Sequence, residues 1–97
     1  MIADDKIREI AKQAAVRNLS PEVVQRVISE ATEDSEGNDA LKLTIVIAPG
    51  SAGGIKGDSL LDTLVQIHRD LSAEGEERLA IVEYATEEEM ANGLDQS

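Results

Sequence analysis

Ninety-seven residues, 41% of them hydrophobic, carry nine Lys and Arg against twenty Asp and Glu, so the chain has a net charge of −11, with Tyr84 its only aromatic residue and no cysteine. That length suits one domain with an aliphatic core, about 5–15 kcal/mol stable, and is too short for two. Without cysteine there is no disulfide, thiolate metal site or cysteine nucleophile, and the acidic body removes most of the electrostatic drive toward a nucleic-acid backbone.

In chain order, Ile7, Ile10, Ala11 and Ala14 follow helical spacing, with Asp4 and Asp5 at the positive end of the dipole and Arg17 at the other, predicting a helix from about Asp4 to Arg17 that stops at Asn18. Ser20-Pro21-Glu22 has the form of a helix start, but the β-branched Val23, Val24, Val27 and Ile28 and the turn cluster Asp34 to Asp39 favour a hairpin. The expectation is a short turn at Ser20 to Val23 and an edge strand from about Val24 to Thr32. Leu41, Leu43, Ile45 and Ile47 alternate with Lys42, Thr44, Val46 and Ala48, a period of two with one aliphatic face, and predict a strand over Leu41 to Ala48.

The loop Pro49 to Gly57 joins this strand to a helix from Asp58 to about Ala73. Its glycines invite a phosphate-binding reading, yet neither G-x-x-x-x-G-K-[ST] nor G-x-G-x-x-G is present. Gly54-Ile55-Lys56-Gly57 matches the four-residue G-x-x-G loop of KH-type RNA-binding domains, where the loop lies between two helices rather than after a strand. The loop reads as structural, with Gly53, Gly54, Lys56 and Gly57 the residues of an alternative anion or ligand contact. Ser59 and Asp62 approximate a capping box, and Leu60, Leu61, Leu64, Ile67, His68 and Leu71 form the apolar side of the helix. Gly75 marks the exit, Arg78 to Tyr84 reads as a strand apolar on both faces, and Thr86 to Met90 as a capped helical turn, with residues 92–97 fraying.

The predicted fold is α+β: a two-layer α-β-β-α-β arrangement with a three-stranded mixed sheet in order 1-2-3, the first pair antiparallel, the second parallel through a right-handed crossover, and both helices on one face. Two stretches, Gly57 to Val65 and Gly75 to Arg78 continuing through Ile81 to Glu89, resemble short uncharacterised proteins from bacterial genomes over roughly the C-terminal half. The resemblance implies a bacterial, cytoplasmic setting and no functional residues. The charged beginning, Met1 to Arg8, and the lack of an apolar run of about 20 residues fit the same expectation of a soluble cytoplasmic protein without a membrane span.

No catalytic or metal-ligating set emerges, and no cofactor is expected. His68, the only histidine, stands between Leu64 and Leu71 as a partly buried structural residue, and the acidic clusters at Asp34 to Asp39 and Glu87 to Glu89 do not meet the D-x-[DN]-x-[DN]-G calcium pattern. If the helices cover Leu41, Leu43, Ile45, Ile47, Leu79 and Ile81, then Val46, Ala48, Val82 and Tyr84 point to the uncovered side, where contiguous apolar surface marks an interaction face. The sequence thus reads as a non-enzymatic, acidic protein-interaction or regulatory module of inhibitor, antitoxin or immunity type, with a protein partner or a second copy on that face. Small-ligand binding at the glycine-rich loop and KH-like RNA binding are the alternatives.

Overall fold

The computed structural model describes residues 2–50 and 55–94, with 91–94 as backbone alone. The elements run α1 (Asp4–Asn18), β1 (Val24–Glu33), β2 (Asp39–Ile47), α2 (Gly57–Ala73), β3 (Leu79–Thr86) and α3 (Glu87–Leu94). The strands form one sheet in order β1-β2-β3, with β1 antiparallel and β3 parallel to β2, the topology expected from the sequence.

Local chemistry sets each boundary. Asp4 and Asp5 occupy the first turn of α1 and Arg17 its last, and the Asn18 side-chain amide donates to the Ala14 carbonyl at 2.8 Å, closing the helix. Ser20 does not start a second helix. It sits at φ 135°, and its carbonyl accepts from the amides of Val23 and Val24, turning the chain into β1. At the hairpin the Asp34 carboxylate accepts from the amides of Glu36 (2.8 Å) and Asn38 (2.9 Å), while Gly37 takes the positive φ of 85° that the turn requires. Those two amides hold the Asp34 carboxyl below its usual range.

The capping box expected at Ser59 and Asp62 does not form. Helix α2 begins at Gly57 after Lys56, one residue before the expected start at Asp58, and no side chain caps it. By contrast, Thr86 and Glu89 do cap α3 reciprocally: the Thr86 amide donates to Glu89 Oε1 (3.1 Å) and the Glu89 amide to Thr86 Oγ1 (3.2 Å). So secured, α3 extends through 92–94, which the sequence suggested would fray; residues 95–97 lie outside the described ones.

Helices α1 and α2 pack side by side on the sheet face bearing Leu41, Leu43, Ile45 and Ile47, and their Ile7, Ile10, Ala11, Ala14, Ile67 and Leu71 complete an aliphatic core. One expectation is overturned here. In the parallel register Leu41 pairs with Ala80, Leu43 with Val82 and Ile45 with Tyr84, and paired residues share a face. Val82 and Tyr84 therefore face the helices and Leu79 and Ile81 face away, the reverse of the assignment drawn from alternation. The cause is tertiary: Tyr84 slides beneath α2 and its hydroxyl donates to the Leu60 carbonyl at 3.3 Å. Burial pushes the Tyr84 phenol up, while a hydrogen bond with Thr63 opposes the shift. No helix among the described residues is long and apolar enough to cross a membrane.

Candidate functional site

The side of the sheet away from α1 and α2 is assembled from the even residues of β1 and β2 and the odd residues of β3. Its rows run Thr32, Ala40, Leu79; Glu30, Lys42, Ile81; Ile28, Thr44, Glu83; and Arg26, Val46, Ala85. Leu79 and Ile81 are 52% and 37% exposed, unusual for large aliphatic side chains in adjacent rows of a sheet. Charges frame them: Lys42 Nζ lies 3.6 Å from Glu83 Oε2, and Arg26 Nε 2.6 Å from Glu87 Oε1. The Arg26–Glu87 pair ties α3 to β1 across the row that contains Val46, which is 0% exposed.

The expected interaction face is thus split. Val46 lies on the side away from α1 and α2 but is buried, and Ala48, half-buried just past β2, donates its amide to the Val23 carbonyl at 2.8 Å. Val82 and Tyr84 are on the helix side. Leu79 and Ile81 take their place, and the signal that could have found them was the apolar character of β3 on both faces.

A second exposed apolar strip lies on α2, where Leu61 and Val65 are 59% and 47% exposed. His68 falls seven residues after Leu61, so the two share a stripe of the helix. The His68 ring is exposed rather than partly buried, and its Nε2 lies 2.9 Å from the Ala80 carbonyl on β3. A carbonyl oxygen only accepts, so Nε2 carries the proton and donates. The stripe holding Leu61 and His68 is therefore the side of α2 next to β3.

An open cleft of about 700 Å³ lies where α2 ends and β3 begins, lined by His68, Ser72, Glu76 and Arg78 among others. Its polar centre is internally satisfied. Glu76, only 6% exposed, accepts from Arg78 Nε and Nη2 (both 2.9 Å), from the Arg78 amide (3.1 Å) and from the Ile2 amide (3.2 Å). The Arg78 guanidinium is the main reason its carboxyl falls to about 2, with the two amides adding to the effect and burial opposing it. With all four donors in place, this carboxylate is a clamp holding residue 2 to the start of β3. Sequence reasoning missed it because Glu76 stands in an acidic run, Glu74 to Glu77, where nothing marks one carboxylate as buried.

Of the proposed loop contacts, Lys56 is exposed at the start of α2 and Gly57 is its first residue, and both adjoin a cleft of about 480 Å³ that Lys56 lines with Asn18, Leu19, Val23 and Ser59. Gly53 and Gly54 lie outside the described residues. No group of three or more His, Cys, Asp or Glu suited to a metal ion occurs among the described residues. Compared with protein-family models, curated proteins and solved structures, the chain finds no match.

Proposed function

We propose that this chain is a small acidic protein-interaction module that receives a basic partner on the side of its sheet away from α1 and α2. The observation that carries the reading is the pair Leu79 and Ile81, large aliphatic side chains standing out from a face that neither α1 nor α2 covers. Around that apolar centre stand Glu30 and the ion pairs Lys42–Glu83 and Arg26–Glu87, and the chain as a whole carries −11, so a cationic surface is the complementary one. A non-enzymatic role is consistent with the polar groups nearby: the carboxylate of Glu76 is filled by donors and Nε2 of His68 is committed to a main-chain carbonyl.

The test compares immobilised wild-type protein with the Leu79→Lys/Ile81→Lys variant in capture from a cell lysate at low and high salt. The reading requires a basic protein retained by the wild type, lost on the folded variant and released by salt. Identical captured sets on both proteins would refute it.

A further inference from the structure

The direction of the main-chain groups along β3 follows from the hairpin. The Asp34 amide donates to the Asn38 carbonyl at 2.9 Å, so the even residues of the β1–β2 ladder exchange hydrogen bonds with one another. The odd residues of β2 then point their N–H and C=O toward β3. In a parallel ladder both groups of one residue point the same way, so 79, 81, 83 and 85 bond to β2 while 80, 82, 84 and 86 point away from the sheet.

Two contacts confirm this phase. The Ala80 carbonyl is taken by His68, and the Thr86 amide by Glu89. Between these two side chains, which blunt the edge at either end, the N–H and C=O of Val82 and Tyr84 face outward without a protein partner among the described residues.

The upper flank of this gap is apolar, and the lower flank is apolar at one end and acidic at its centre. Above it runs the α2 stripe with Leu61, Leu64 and the neighbouring Val65; below it Ile81 stands beside Glu83 at the centre of the gap, with Leu79 one row earlier. The other sheet edge differs. Strand β1 carries an irregularity between Val24 and Arg26, a device that disrupts strand pairing, and its flanking cleft is lined mainly by charged residues: Asp5, Arg8, Glu9, Lys12 and Arg26.

We propose that the free edge of β3 accepts one extended segment of a basic partner protein as a fourth strand, hydrogen-bonded to Val82 and Tyr84, with its alternate side chains seated against Leu61 and Val65 on one side and Leu79 and Ile81 on the other. This deepens the interaction-module reading and rests on it. Charge selects the occupant. Glu83 lies on the strand itself, Glu87, Glu88 and Glu89 follow at one end and Glu74 and Glu77 precede at the other, so Lys or Arg flanking an alternating apolar core is the complementary pattern. A second copy of this chain is the poorer occupant. Antiparallel pairing that used all four free groups would match Val82 of one copy with Tyr84 of the other and set the two Glu83 carboxylates opposite each other, between bodies of −11 each.

The probe is a labelled ten-residue peptide with a Val core flanked by two Lys at each end. It is compared with the same peptide N-methylated at the residues that would pair with β3, and with a Val/Glu version. The proposal requires that N-methylation and the Lys-to-Glu exchange each weaken binding by about tenfold or more. It also requires that the amides of Val82 and Tyr84, fast to exchange in the free protein, shift and become protected on binding. Val82→Pro removes an outward amide and no ladder bond, so it should abolish binding in a folded protein; Val82→Ala controls for the shortened side chain.

Equal binding of the N-methylated peptide, or unaltered Val82 and Tyr84 amides while Ile81→Lys still abolishes binding, would overturn strand addition and leave the sheet-face reading standing. No binding of the Val/Lys peptide would overturn it as well. Protection of the same amides without peptide, in a protein sedimenting as a dimer, would overturn it in favour of a second copy.

Discussion

Replacing Glu76 by Gln tests the buried clamp, because a protonated glutamate and a glutamine are near-isosteres. In the folded chain the Glu76 carboxyl lies at about 2 rather than 4.5, so the unfolded chain takes up a proton first as pH falls. The stabilisation is complete above about pH 4.5 and is lost as the pH approaches 2. At about 1.4 kcal/mol per tenfold change in proton affinity, the lowering corresponds to about 3 kcal/mol, a ceiling, since the pair lines an open cleft where water screens part of it. Glutamine offers one acceptor where the carboxylate offers two, and turns an amide donor toward the Arg78 guanidinium, which is itself 15% exposed. The expected cost is about 2–3 kcal/mol near neutral pH, out of a total of about 5–15 for a domain of this size. Urea unfolding of both proteins, followed by circular dichroism from neutral pH down to about 2.5, measures it. Other carboxylates titrate in both chains, so the difference between them isolates Glu76, and the two curves should converge toward the acid end. A difference that stays constant across that range would refute the clamp.

Ile67→Ala, at a side chain 0% exposed between α2 and the sheet, should cost about 2–5 kcal/mol in urea denaturation. Thr86→Ala removes one half of the α3 capping box and should cost about 1 kcal/mol with a drop in helical signal. His68→Ala should cost about 1 kcal/mol by freeing the Ala80 carbonyl, and His68→Gln, which still carries an N–H donor, should restore most of it. Arg26→Ala breaks an ion pair exposed on both sides and should leave the melting temperature unchanged.

The fold was legible because each element's local chemistry agreed with its neighbours. The β-branched run at Val23 to Ile28 and the turn cluster after it are realised as β1 and the Asp34 turn, against the helix-start form of Ser20-Pro21-Glu22. The alternation in β2 needed no tertiary help. The phase of β3 was not legible, since Leu79 and Ile81 are as apolar as Ala80, Val82 and Tyr84, and a shift of one residue exchanges the two faces. What decides it, Tyr84 beneath Leu60 and the Glu76–Arg78 clamp ahead of the strand, joins residues that composition and spacing do not connect. The candidate site inherited that ambiguity. Of the four residues named for it, Val82 and Tyr84 lie on the other side of the sheet.

The sheet is also assembled from contacts of very different sequence reach. The Asp34 turn brings β1 and β2 together across a few residues, so little chain entropy opposes that step and the hairpin can close early. Leu41 and Ala80 are about forty residues apart, with the whole of α2 between them, so a much longer loop must close before their strands meet. By this reasoning β3 is expected to join last and detach first, and amide exchange that is faster in β3 than in the β1–β2 hairpin would check it. A ligand held along that strand would slow the opening, turning the least secure part of the molecule into the part whose persistence reports occupancy.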